Sequence, residues 1–268
     1  MRHGAGSTIA CSPAGNGTPT NGAPALKIAC LCVTYRRPRR LAEAIACFER
    51  QDYPAPLREL VILDDAGQYP PLEGSGWRLT SIGRRFRTLG EKRNAAAALA
   101  SPDAVAYAVW DDDDIYLPWH LTSVARALAK RPWCVPRVLF RELFGRLELY
   151  TNDERYYHAG WAFSRELLQR VGGYPFAQVG EDQGLRERFE TAGAVPADSA
   201  AGADPSYVTR WFGEPDAWHV SALDADGHAR LAASRPPTRV NKLEPRLSRN
   251  WEARCRELLR ATTGARAP

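Results

Sequence analysis

The sequence predicts an α/β fold, a mostly parallel, doubly wound sheet flanked by helices. Three observations carry this. Short apolar, β-rich runs recur at KIACLCVTY from Lys27, ELVILDD from Glu59 and VAYAVW from Val105, each the length of a buried strand. A helix-forming segment follows each of them, the alternation that builds parallel sheets. Each run also ends in polar residues, and ligands of open α/β sheets bind beyond the carboxyl ends of the strands.

The elements follow in order. After the first strand, Leu41, Ile45 and Phe48 fall at i, i+4 and i+7 and give one helix an apolar face. EKRNAAAALA, after the second strand, is rich in strong helix formers. Pro118 is placed to open a third helix, with Leu121, Val124 and Leu128 turned inward. Beyond about residue 132 the pattern loosens. CVPRVLF and RLELY can pair as strands. SRELLQRV reads as a short helix stopped by Gly172 and Gly173. DQGLRERFETAG reads as another, with Leu185 and Phe189 on one face, and SYVTRW as a strand. Leu247, Trp251, Leu258 and Leu259 predict a packed helix from about Glu244 to Ala261. The stretches ADSAAGADP and TTGARAP read as flexible loop and tail. Residues 1–25, rich in Gly, Ser, Thr, Pro and Ala, are expected to be disordered and hold no apolar run fit for a secretory signal.

Composition narrows the function. The 268 residues are 44% hydrophobic and 25% charged, enough to bury a core. No apolar run approaches the roughly 20 residues of a membrane-spanning helix. The net charge is +5, and only Lys27, Lys92, Lys130 and Lys242 are lysines, so the basic charge is almost all arginine. Arginine suits phosphates, but no dense basic block marks nucleic acid as a partner. The six cysteines form no CxxC pair and no metal spacing. All but Cys11 are expected to be reduced and mostly buried, which fits a cytoplasmic setting.

Three consecutive predicted strands end in Thr34-Tyr35-Arg36-Arg37, in Asp64-Asp65 and in Asp111 to Asp114. No GxGxxG and no GxxxxGK[ST] occurs, which disfavours a dinucleotide dehydrogenase or a P-loop phosphotransferase. Four adjacent aspartates repel one another. A divalent cation bridging them to a diphosphate would cancel that repulsion, and hard carboxylate oxygens suit Mg²⁺ or Mn²⁺.

Seven segments, in order from about residue 27 to 221, resemble glycosyltransferase family 2, the inverting enzymes of GT-A (Rossmann-like) fold. They are CVTYRRPRRLAEAIACFERQDYP, VILDD, LGEKRNAAAALA, WDDDDIYLP, HAGWAFSRELLQRVGGYP, GEDQGLRERF and YVTRWFGEPDAWHVS. Arg36 stands where that family commonly has Asn, and the Ser often found after the second-strand acids is missing. The resemblance implies a metal-dependent transfer of sugar from a nucleoside-diphosphate sugar to a glycan, lipid-linked or other hydroxyl acceptor. It divides residues 26–221 into a nucleotide-sugar half, 26–131, and an acceptor and catalytic half, 132–221. Residues 222–268 become a C-terminal extension.

The same resemblance suggests roles. Asp113 and Asp111 would hold the metal, with His219 a possible third ligand; Asp111 or Asp112 could instead touch the ribose or a metal-bound water. Thr34, Tyr35, Arg37, Asp64 and Asp65 would line the nucleotide site. Lys92 or Arg93 could reach a phosphate near the start of their helix, and Arg93 and Asn94 would belong to the donor site. Asp182 would be the general base, with Glu181 beside it. A plainer account stands beside each role. Asp114 could cap the helix near Pro118, Asp64 and Asp65 could start a turn, and GED could cap a helix. Lys92 could sit in a solvated first turn. His219, His120 and His158 could be packed histidines, and Trp161, Trp211 and Tyr174 could be core rather than a sugar platform. Two other functions remain: a sugar-phosphate nucleotidyltransferase, which would want a Gly-rich loop where VTYRRPRRL stands, and a non-catalytic nucleotide-sugar or glycan-binding module.

Overall fold

The computed structural model describes residues 25–153, 157–211 and 238–264. The expected sheet forms from β1 (Ile28–Thr34), β2 (Arg58–Asp64) and β5 (Ala106–Val109), with β1 central and parallel to both neighbours. Every residue of β1 is buried, as befits a parallel strand covered on both faces. Helix α1 (Pro38–Glu49) carries Leu41, Ile45 and Phe48 into the core, and α2 (Leu89–Ala98) packs on β1 and β2. Helix α3 (His120–Leu128) buries Leu121 and Val124, with Leu128 partly covered.

The large sheet has eight strands in the order β11-β7-β10-β5-β1-β2-β4-β3. Its additional strands are β3 (Leu72–Gly74), β4 (Trp77–Ser81), β7 (Trp133–Val135), β10 (Ala162–Ser164) and β11 (Ala197–Asp198). Strands β3 and β4 form an edge hairpin that the apolar pattern did not reveal. Only Trp77 and Leu79 of β4 are buried, so the segment lacks the continuous apolar run of a central strand. Strand β11 lies inside ADSAAGADP, whose composition reads as loop.

A second sheet, β6-β12-β8-β9, comprises β6 (Ile115–Tyr116), β8 (Val138–Leu143), β9 (Arg146–Thr151) and β12 (Tyr207–Trp211). Strands β8 and β9 pair antiparallel, the expected partnership of VLF and RLELY. The four aspartates fill the step between β5 of the large sheet and β6 of the small one. The remaining helices are α4 (Arg165–Arg170), α5 (Glu181–Thr191) and α6 (Trp251–Gly264). Helix α6 starts later than Glu244. Asn250 takes the Ala253 amide at 3.1 Å, an N-cap bond that sets its beginning. Trp251 and Cys255 of α6 nevertheless join the main core. The five cysteines from Cys30 onward are free and buried. Among the described residues no helix is long and apolar enough to cross a membrane.

His120 and His158 are both buried, as their plainer account expects. His120 Nδ1 lies 3.0 Å from Ser206 Oγ, and burial pushes its pKa down to about 3. A histidine held neutral in the folded state, near 6.5 when unfolded, adds stability that is fully present above pH 6.5. That stability is lost as pH falls toward 3, at about 1.4 kcal/mol per pH unit. Replacing His120 with Gln is therefore expected to flatten the acid side of the stability curve. Unfolding free energies from urea titrations at pH 7 and pH 5.5 should differ by about 1.4 kcal/mol less in the variant than in the wild type.

Candidate active site

The ends of β1, β2 and β5 meet the first turns of α2 and α5. Helix α2 is well started: Thr88 accepts the Glu91 amide at 3.1 Å and Glu91 accepts the Arg87 amide at 3.0 Å. Its next two residues join the strand tips. Lys92 is buried, and its ammonium lies 2.6 Å from both Asp65 Oδ1 and the Thr34 carbonyl oxygen. Burial lowers the Lys92 pKa, against the pull of Asp65. The sequence leaves Lys92 open between a phosphate contact and a solvated first turn, and the structure buries it against Asp65 instead. The direction of α2, its N-terminus set against the strand tips, is the feature that marks it. Arg93 is also buried, giving 3.1 Å to Asp111 and 3.2 Å to Glu181. The acid pair at the start of α5 is thus tied to the aspartate step.

Each aspartate of the step has its own partner. Asp112 is wholly buried; it accepts the Thr34 hydroxyl at 2.6 Å and lies 2.7 Å from Arg37 Nη2. Burial raises its pKa, with Arg37 opposing. Arg37 Nη1 reaches Asp113 at 2.7 Å. Asp114 is buried, taking the Tyr207 hydroxyl at 2.5 Å and the Arg210 amide at 2.9 Å; burial and then Asp113 raise its pKa. It caps no helix here. Asp111 and Asp113 keep part of their side chains exposed, 24% and 13%. The quartet therefore divides into two deeply buried acids and two that keep some side-chain exposure, Asp111 more than Asp113.

The second-strand acids are buried at the β2 tip. Asp64 accepts Ser81 Oγ at 2.7 Å and the Ala66 amide at 3.1 Å, and burial raises its pKa. Asp65 takes the Phe86 amide at 3.2 Å and lies 3.4 Å from Arg85 Nε. Arg85 in turn sits 3.8 Å above the Tyr35 ring, which Arg36 also approaches at 4.9 Å. This cation–π stack stands at the mouth of the β1–β2 crevice.

Asn94 does not present its amide to the crevice. Its Nδ2 gives 2.9 Å to the Tyr174 carbonyl, and its Oδ1 takes the Tyr174 amide at 2.8 Å. It holds the loop that leads to α5. Two glycines let that loop close in. A Cβ on Gly90 would lie 1.9 Å from the Pro175 oxygen, and one on Gly173, at φ +76°, would lie 2.5 Å from Asn94 Oδ1. Gly90→Ala is accordingly expected to cost about 3 kcal/mol, read as a lower urea midpoint. Trp161 and Tyr174 are core residues, at 5.0 Å and 5.6 Å between ring centres from His158, so neither offers a sugar platform. Burial and then Arg93 push the His158 pKa down.

Glu181 and Asp182 open α5 after Gly180, whose φ of +75° favours glycine. Burial raises the Glu181 pKa, with Arg93 opposing. Asp182 is half-buried and accepts the Gln183 amide at 2.8 Å. His219 lies outside the described residues. Among the described residues no group of three or more His, Cys, Asp or Glu side chains is gathered as a ready-made metal cage.

The fold is similar to that of solved glycosyltransferases of GT-A-like architecture. Solved structures with this fold include S. aureus TarS residues 1–349 with UDP-GlcNAc, at a TM-score of 0.58 and 14% identity over 75% of this chain and 62% of that one. TarS 1–349 with UDP gives 0.55 and 15%, over 69% and 61%. The mannosyltransferase PcManGT from Pyrobaculum calidifontis, with GDP-Man and Mn²⁺, gives 0.51 and 19%, over 90% and 76%. The chain thus spans about three fifths of the TarS 1–349 structures. No protein-family model and no curated protein matches the sequence.

Proposed function

We propose that this chain transfers a sugar from a nucleoside-diphosphate sugar to an acceptor hydroxyl, with inversion, as a family 2 enzyme would. The observation that carries the reading is Arg93, one buried side chain joined both to Asp111 at the strand tips and to Glu181 beside Asp182. It sets the donor-side acids next to the acid pair that an acceptor would meet. The similar folds solved with UDP, UDP-GlcNAc and GDP-Man support the same reading by analogy.

A divalent cation, Mn²⁺ or Mg²⁺, fits the residues present. Asp111 and Asp113 offer hard carboxylates that keep some exposed surface, each also paired with an arginine. Mg²⁺-like ions are commonly held by one or two carboxylates, with substrate phosphates and water completing the shell. When bound, the cation would offset the charge growing on the leaving diphosphate. The chain's own groups do the rest. Tyr35, Asp64 and Asp65 border the nucleoside, and Thr34, Arg37 and Arg93 lie on the phosphate side. Glu181, committed to Arg93, holds the electrostatics steady. Asp182 accepts the proton of the acceptor hydroxyl as its oxygen bonds to the anomeric carbon. The bond from that carbon to the diphosphate breaks on the opposite face, and the nucleoside diphosphate leaves with the electron pair.

Calorimetry against UDP, GDP, dTDP and CDP, each with and without Mn²⁺, tests this. One diphosphate should bind best, and only with the metal. If none binds under either condition, the reading is wrong.

A further inference from the structure

The stretch 238–251 touches two of the loops that carry the site's acids. At one end, the Val240 amide gives 2.8 Å to the Gln68 carbonyl, and Gln68 Nε2 gives 3.4 Å to the Thr238 carbonyl. Gln68 follows β2, and its own amide reaches Asp64 at 3.4 Å. At the other end, the Ser248 amide gives 2.8 Å to Glu43 Oε1, which also takes the Ser248 hydroxyl. The second Glu43 oxygen pairs with Arg210 Nη1 at 2.7 Å. Arg210 then holds the aspartate step itself: its Nε gives 2.5 Å to the Asp113 carbonyl and its amide gives 2.9 Å to Asp114. Trp251 lies 5.8 Å from the Arg210 guanidinium.

The Glu43–Arg210 pair is costly to build. Both side chains are nearly sealed from water, at 7% and 6% exposure. A well-packed apolar pair at such a place is often as stable or more so. What an apolar pair cannot do is hold the Asp113 carbonyl on one side and the Ser248 amide on the other. We propose, building on the donor-site reading above, that residues 238–251 are a strap belonging to that site. Through Gln68 and through Glu43 and Arg210 it sets the loops after β2 and β5 in one register. Glu43 and Arg210 are then positioning residues, although neither touches the donor.

Three variants of the full chain test this: Glu43→Gln, the double change Glu43→Met with Arg210→Met, and Val240→Pro. Each is followed by thermal unfolding, by amide hydrogen exchange and by Mn²⁺-dependent nucleoside diphosphate titration. Glu43→Gln should speed exchange at 111–114 while leaving β1 unchanged, and should weaken nucleotide binding about tenfold to a hundredfold, as loss of an outer-shell partner does. The double variant should melt close to the wild type yet bind as weakly as Glu43→Gln, which a merely structural pair would not do. Val240→Pro removes the amide given to Gln68 and should speed exchange at 66–69. The strap is overturned if exchange at 111–114 stays at the wild-type rate in Glu43→Gln, or if the double variant keeps full nucleotide affinity. A wild type that binds no nucleoside diphosphate sinks the donor reading instead. The exchange rates then decide the strap alone.

Discussion

Asp182→Asn is expected to lower sugar transfer by a hundredfold to ten-thousandfold, the usual worth of a positioned general base, while nucleotide binding stays within about twofold. Asp182 and Glu181 are neighbours in chain but differ in surroundings. Glu181 is buried, which raises its pKa against the pull of Arg93, and its carboxylate lies 3.2 Å from Arg93 Nε. Taking a proton there would forfeit the ion pair. Asp182 is half-buried and accepts the Gln183 amide through Oδ1, a carboxylate with lone pairs to spare for an acceptor hydroxyl. Glu181→Gln should act differently. It leaves Arg93 with Asp111 alone, so it should shift donor affinity as well as turnover. Initial rates at saturating donor, beside calorimetric affinities, separate the two. If Asp182→Asn transfers sugar at the wild-type rate, the base lies elsewhere. If Glu181→Gln alone abolishes turnover with donor binding intact, the two roles are exchanged.

What was legible in the sequence follows from where each signal originates. Strands β1, β2 and β5 are covered on both faces, so their apolar runs stand out, and their polar ends mark the crevice. Helix α2 stood out by propensity, but not the division of labour on it. A linear pattern cannot tell that Lys92 turns inward to Asp65 while Asn94 turns away to Tyr174, because the first depends on α2 starting against the strand tips and the second on the loop at 172–180 closing onto Gly90. The edge hairpin β3–β4 and the short β11 were hidden, since half-exposed edges carry polar residues and two-residue strands carry almost no pattern. For the aspartate step, the sequence offers candidate roles toward a cation, a ribose or a helix cap, but none of its protein partners. Asp112 is neutralised by Arg37, and Asp114 is hydrogen-bonded by Tyr207, both distant in sequence. Arg37 is 75 residues from Asp112 and Tyr207 is 93 from Asp114, separations no local rule spans.

That neutralisation makes Arg37→Gln the second change with a large expected effect. Arg37 lies between Asp112 and Asp113, 2.7 Å from each, and their charges hold its pKa above the arginine norm despite burial. Asp112 has no exposed surface, so losing its partner leaves a buried charge with only the Thr34 hydroxyl. Breaking a buried pair in this way costs about 3–5 kcal/mol, which for a chain of this size lowers the melting temperature by roughly 10 °C. In EDTA the variant should show that full loss. Millimolar Mn²⁺ should then restore more stability to Arg37→Gln than it adds to the wild type, because an ion that binds only the folded state stabilises by mass action, about 2.7 kcal/mol at a hundred times its dissociation constant. Asp113→Asn, made in the wild type, should abolish the metal dependence of nucleotide binding. Arg37 and the cation thus answer the same excess of negative charge, one built into the chain and one arriving with the donor. If Mn²⁺ moves the melting temperature of neither protein, Asp111 and Asp113 hold no cation and the guanidinium alone serves the site.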